Sequence, residues 1–166
     1  MQRGVTQDAE SAAQQVIENR SQDAARATRR AGQAAAAGLS FSRFFTLSGR
    51  DPFDEIAWDT RSALITNEKG EVVFEQKDVE VPSFWSQQAT NIVVSKYFRG
   101  PLRPKPGEVR ETSVRQLIGR VVDTITTWAR AGKYFAGEAD LQAFSDDLKH
   151  LLVFQKASFN SPVWFN

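Results

Sequence analysis

The rhythm of hydrophobic and polar positions changes several times along this chain. Residues 6 to 37 mix Ala, Gln, Arg and acidic residues and offer only Val16 and Ile17 as sizeable apolar side chains. Helix formers are plentiful there, yet a helix would have almost nothing to bury. Residues 1–40 therefore read as an Ala/Gln/Arg-rich arm, a frayed helix or disordered chain. From Ser40 the character changes, with Phe41, Phe44 and Phe45 followed by the turn-forming Ser48-Gly49-Arg50-Asp51-Pro52. That pattern predicts an extended segment pinned to a core by its aromatic rings.

Two short runs rich in β-branched and apolar residues, Ser62 to Thr66 and Glu71 to Phe74, flank Asn67-Glu68-Lys69-Gly70. Gly70 can supply the positive φ of a four-residue loop, so a small β-hairpin is predicted at about 60–76. After Pro82 the period becomes helical. Trp85, Ala89, Ile92, Val93 and Lys96 or Tyr97 fall on one face of a helix over 84–98, with Ser83 as its cap. Pro101, Pro104 and Pro106 end it. Behind a Thr112 or Ser113 cap, Val114, Leu117, Ile118, Val121, Val122, Ile125 and Trp128 recur at spacings of three and four, predicting a helix over 113–130 closed by Gly132. A third helix, 138–155, carries Leu141, Phe144, Leu148, Leu151 and Leu152 inward and acidic residues at its start. The expected fold is thus mainly α with a small β-hairpin, an α+β chain whose core lies after residue 40.

Residues 157–166 contain Phe159, Trp164 and Phe165 and no charge. Such a segment is built for burial, either against a partner that covers it or by folding back on the three helices.

Composition narrows the function. With 166 residues the chain is one domain's worth of protein, and it has no cysteine. A disulfide scaffold, a Cys-ligated metal site and any thiol nucleophile or thiyl radical within the chain are excluded. The 21 basic and 20 acidic residues give no field for polyanions, so nucleic-acid binding has no compositional support. No run approaches the about 18 apolar residues of a membrane span, nor the about 7 to 15 of a secretory signal, and a cytoplasmic protein with no membrane partner is expected. The sequon at Asn19 is then a chance pattern.

Candidate chemistry is sparse. His150 is the sole histidine, and a solvated helix position explains it better than a metal ligand. Asp51, Asp54 and Glu55 beside Pro52, and the pair Asp146-Asp147, can be drawn as carboxylate sites, but turn chemistry and helix solvation account for them. Ser113 and Ser161 lack a histidine partner, and no phosphate-cradling glycine motif occurs. Lys96-Tyr97-Phe98-Arg99 with Arg103 and Lys105 mixes cations and aromatics as a single-strand binding surface would, or as snorkelling residues at a helix end do. No catalytic residue and no metal set is assigned.

Several strings nevertheless carry a resemblance: GRDPFDEI at 49–56, PSFWSQQATNIVVSKYFR at 82–99, ETSVRQLIGRVV at 111–122, KYF at 133–135 and QKASFNSPVWFN at 155–166. In this order and spacing they resemble the N-terminal portion of the adenosylcobalamin (vitamin B12)-dependent, class II ribonucleotide reductases. The resemblance runs from about Phe44 onward and leaves residues 1–40 untouched. It implies a helical N-terminal region, 41–156, that precedes a ten-stranded α/β barrel, with 157–166 as the lead-in to that barrel. It also implies that Ser161 touches a ribonucleotide substrate, with Asn160 and Asn166 as weaker candidates. The family's radical and electron-donating cysteines, and its cobalamin site, have no counterpart here. The resemblance thus implies a fragment or subunit that contributes to reducing ribonucleotides for DNA synthesis only with the remaining C-terminal reductase polypeptide. Adenosylcobalamin would be a cofactor of the complete enzyme and not of this chain alone. The alternative is a non-catalytic helical adaptor for a protein or single-stranded nucleic acid.

Overall fold

The structure, a computed structural model, describes residues 38–102 and 104–165, and the fold lies in the unit Ser40–Asn166. The predicted arm lies almost wholly outside the described residues, as does Asn166. The architecture is α+β: an antiparallel hairpin, β1 (Trp58–Thr66) and β2 (Val72–Pro82), then helices α1 (Gln87–Tyr97), α2 (Val114–Ala131), α3 (Glu138–Val153) and the single turn α4 (Ser161–Trp164). None of the described helices is long and apolar enough to cross a membrane.

Asn67 builds the hairpin loop. Its Oδ1 accepts the N–H groups of Lys69 and Glu71, and Gly70 adopts φ 81°. The strands extend well past the apolar runs, pairing from Thr66–Val72 back to Trp58–Pro82. Gln76-Lys77-Asp78 hides this from the sequence. A register shift between Arg61 and Ala63, with Asp78 at φ 56°, lets the polar residues bulge outward while Val79 and Val81 return to the core.

The helices turn differently from the sequence expectation. Ser86, not Ser83, caps α1 by accepting the Ala89 N–H, and the fully buried positions are Thr90 and Val94 rather than Ala89 and Ile92. The cause is that α1 is covered twice: the core takes Thr90, Val94 and Phe98, while Val93 and Tyr97 face the C-terminal tail. Thr90 tolerates burial because its hydroxyl donates to the Ser86 carbonyl. Ser113 and Gln116 form a reciprocal capping box on α2. In the second half of α2 the inward residues are Thr126 and Ala129, and Trp128 is 63% exposed.

The largest departure concerns Asp146 and Asp147. They are not solvated but 4% and 3% exposed, covered by the segment 40–47 running along α3. Asp147 accepts the Phe44 N–H at 2.7 Å, the Phe45 N–H at 3.2 Å and the Thr46 hydroxyl at 2.6 Å; Asp146 pairs with Arg43 at 2.6 Å. Asp140 accepts the Phe41 N–H at 2.7 Å. Carboxylates, as much as the rings of Phe41 on Phe135 and Phe144, hold this strap. His150 is likewise not a solvated residue: it stacks between Phe45 and Phe154.

Burial alone would raise the Asp147 pKa, but the hydrogen bonds from Thr46 and the strap N–H groups outweigh it and hold the carboxyl below its ordinary range. A carboxyl lowered on folding lends stability that is complete above its ordinary value of 3.8 and is lost as the pH falls below that through the folded-state value. Asp147→Asn should cost about 1–3 kcal/mol at neutral pH and flatten the acid limb of the stability profile. Urea unfolding at several pH values measures both, and an unchanged acid limb in the variant would remove Asp147 as its source.

Candidate functional site

The C-terminal ten residues are shaped by the way α3 stops. Gln155 takes φ 55°, and the N–H groups of Lys156 and Ala157 both bond the Leu151 carbonyl, at 2.9 and 3.2 Å. This left-handed turn reverses the chain over its own helix. Asn160 then has extended backbone, Pro162 starts α4 without needing a donor, and the Val163 N–H bonds the Asn160 carbonyl at 3.1 Å. The Trp164 indole N–H closes the loop on the Phe159 carbonyl at 3.0 Å. Phe159 and Trp164 pack on the core, so the tail does fold back, while Phe165 stays 61% exposed.

A clasp on α2 holds the tail down. The Arg120 guanidinium donates to the carbonyls of Trp164 at 3.2 Å and Tyr97 at 3.3 Å, and its Nε meets Glu111 at 2.8 Å. Glu111 also accepts the Arg99 N–H at 2.7 Å, so α1, α2, α4 and the loop between the first two are joined through one ion pair. Tyr97 lays its ring against Phe165 at 5.5 Å. Its hydroxyl meets Ser161 Oγ at 3.0 Å.

Beneath the clasped tail is a cavity of about 460 Å³. Its floor is aliphatic and aromatic, from Trp85, Leu117, Ile118 and Leu152, and its rim is polar, from Tyr97, Gln155, Ser158, Asn160 and Ser161. Of the residues predicted to touch a substrate, Ser161 and Asn160 are therefore adjacent on this rim, both exposed, and the Asn160 side chain makes no cap hydrogen bond. Asn166 lies outside the described residues. Tyr97 and Arg120 were not foreseen as parts of the site. The signal for Arg120 was an arginine set one residue before Val121 on a strongly apolar helix, a place that needs several acceptors, whereas Tyr97 stood out only within the basic-aromatic string.

This geometry can orient a ligand by hydroxyl and amide hydrogen bonds, but it pairs no base with a nucleophile. Among the described residues no cluster of three His, Asp or Glu side chains could hold a metal ion. The aromatic half of the string at the end of α1 is used internally, Phe98 buried and Tyr97 bonded to Ser161, while Lys96, Arg99 and Lys105 are exposed.

A family model described as class II vitamin B12-dependent ribonucleotide reductase matches residues 59–155. The chain belongs to that family. The match takes in Tyr97, Glu111 and Arg120 and stops at the turn that launches the tail. Vitamin B12-dependent ribonucleotide reductases from Rhodopirellula baltica, Streptomyces coelicolor and Streptomyces clavuligerus are 54%, 47% and 46% identical over 131, 143 and 143 residues. These alignments cover 78%, 86% and 86% of this chain but only 12%, 14% and 15% of the relatives, in a short N-terminal part. The reductase segment described here thus spans about one-eighth of the relatives' length.

Arg120→Met keeps the length of the side chain and removes the clasp. Both partners are 12–14% exposed, so stranding Glu111 should cost about 3 kcal/mol. Amide exchange of the 159–165 tail should rise well before that of α2; equal exchange in both proteins would mean that the tail is held by its rings alone.

Proposed function

We propose that this segment is the N-terminal part of a ribonucleotide reductase that converts ribonucleotides to deoxyribonucleotides for DNA synthesis in the cytoplasm. In this reading residues 41–156 are the helical region preceding a ten-stranded α/β barrel, and 157–166 lead into it. The barrel, the cysteines that the chemistry needs and the cofactor site are supplied by the remaining reductase polypeptide. The supporting observation is the placement of Ser161 and Asn160 together on the rim of the cavity, in a tail fixed by Arg120, within a chain that belongs to this family. Ser161 offers its hydroxyl, and Asn160 and Asn166 their amides, to the ribose or phosphate oxygens of the substrate.

Adenosylcobalamin would supply the radical-forming chemistry of the complete enzyme. The described residues do not fit it. The cavity floor is made of Trp85, Leu117, Ile118 and Leu152, and the chain's one imidazole, which could serve as a cobalt ligand, is stacked between Phe45 and Phe154. No part of that chemistry is assigned to this chain, which by itself is inactive in this reading. Of the two surfaces the adaptor reading would use, the Ala/Gln-rich arm lies outside the described residues, and at the end of α1 Phe98 is buried and Tyr97 is bonded to Ser161.

Mixing the chain with the barrel-bearing polypeptide and adenosylcobalamin should give deoxyribonucleotide formation that neither polypeptide gives alone. Ser161→Ala should raise KM for the ribonucleotide about ten-fold, the loss of one hydrogen bond to a charged or polar ligand group. Unchanged kinetics in a stable complex would remove Ser161 from the substrate contacts, and no activity from any mixture would sink the reading as a whole.

A further inference from the structure

Five rings from distant parts of the chain form one continuous row beside the cavity. Phe44 meets Phe45 edge-on at 4.7 Å, Phe45 stacks on His150 at 5.1 Å, His150 on Phe154 at 4.3 Å, and Phe154 on Phe84 at 5.2 Å. The three stacked steps are within 30° of parallel. Yet the row is poorly covered: Phe44 is 84% and Phe84 49% exposed, and Phe45 and Phe154 more than a third.

The exposure is fixed by polar bonds on every segment that carries a ring. The Phe44 and Phe45 N–H groups are held by buried Asp147. Phe84 sits in a turn closed by Ser83 N–H to Ala57 and Trp85 N–H to Pro82, and the Phe154 N–H bonds His150. Apolar rings held outward by an ordered backbone lose little freedom on binding, which is the property of interface anchors. Burial foremost, and Lys156 next, push the His150 pKa down, against the opposite pull of Asp147 and Glu55.

The occupant follows from two observations. Phe154 belongs to the row, Gln155 lines the cavity and Lys156 Nζ lies 5.7 Å from the Phe45 ring centroid, so row and cavity border the same turn, the one that launches the tail. Relatives of this chain continue far beyond it, since it covers 12–15% of their length. We propose that this aromatic row is the surface on which the barrel-bearing remainder of the reductase docks, through aliphatic side chains and aromatic faces. The proposal rests on the function proposed above. His150 and Phe154 each stack on two rings, and Lys156 Nζ lies 5.7 Å from the Phe45 centroid, so the middle of the row presents ring edges, which suit apolar side chains and aromatic faces.

The test is the affinity of the full chain for the barrel-bearing polypeptide, by calorimetry or analytical ultracentrifugation. Phe44→Glu and Phe84→Glu should each weaken it more than ten-fold, while Phe44→Leu and Phe84→Leu stay within a few-fold. A photo-crosslinking phenylalanine analogue at 44 or 84 should label the barrel polypeptide, which gives a reading independent of any folding loss in the Glu variants. Wild-type affinity in folded Glu variants, with no crosslink, would overturn the docking surface and leave the reductase reading standing. Crosslinks only to a second copy of this chain would overturn it in favour of self-association. No binding of the wild-type chain, with no activity in the mixture, would overturn both.

Discussion

Two adjacent side chains of opposite charge, Arg110 and Glu111, tie the molecule together. They lie just before α2 and reach in different directions. The Arg110 guanidinium donates to the carbonyls of Gly100 at 2.6 Å and Val94 at 2.7 Å and to Gln76 at 2.8 Å, joining the end of α1, the loop after it and β2. Burial lowers its pKa from the ordinary value, with Glu111 pulling it back, and it stays charged. A buried cation is tolerated only when its acceptors are presented in place, so the carbonyls it binds must be delivered by correctly ended elements. Glu111 does the same for the Arg120 clasp on the other side. The core and the cavity rim are therefore joined through neighbouring residues of one loop, and neither can be rearranged without the other.

Gly100 shows how tight that joint is. It takes φ 108°, and a Cβ there would lie 2.5 Å from the Val109 carbonyl oxygen and 2.7 Å from Arg110 Cα. Both the left-handed backbone and the space demand glycine. The loop after α1 can thus pass against residues 109–110 only because no side chain intervenes, which is what brings the Gly100 carbonyl to the guanidinium.

Local signals were legible in the sequence where local chemistry decides: the Asn67–Gly70 loop, the Ser113 cap and the apolar stripe of α2 over Val114–Val122 all follow from neighbours within a few residues. What was hidden depends on contacts across the chain. An aspartate pair on a helix reads as solvated until a strap whose N–H groups need acceptors lies over it, and nothing at 146–147 announces residues 44–46. The shift of the buried face of α1 from Ala89 and Ile92 to Thr90 and Val94 has the same origin, since the tail claims Val93 and Tyr97. In the candidate site, the string at 155–166 that contains Ser161 was readable as a motif, whereas the cavity and the Arg120 clasp exist only once α1, α2 and the tail are assembled.

The strap also sets an order of events in folding. Phe44 and Asp147 are 103 residues apart, whereas the hairpin closes over five loop residues, 67–71, and the α2 cap over three. Closing the long loop carries an entropy cost that the local elements do not, and its reward comes only once α3 exists to present its carboxylates. On a ribosome the strap is made early and finds its seat after the hairpin and all three long helices have emerged. Until then Phe41 lacks its seat on Phe135 and Phe144, and with Phe44 and Phe45, which stay partly open even in the fold, it is exposed to anything that binds aromatic residues on a growing polypeptide.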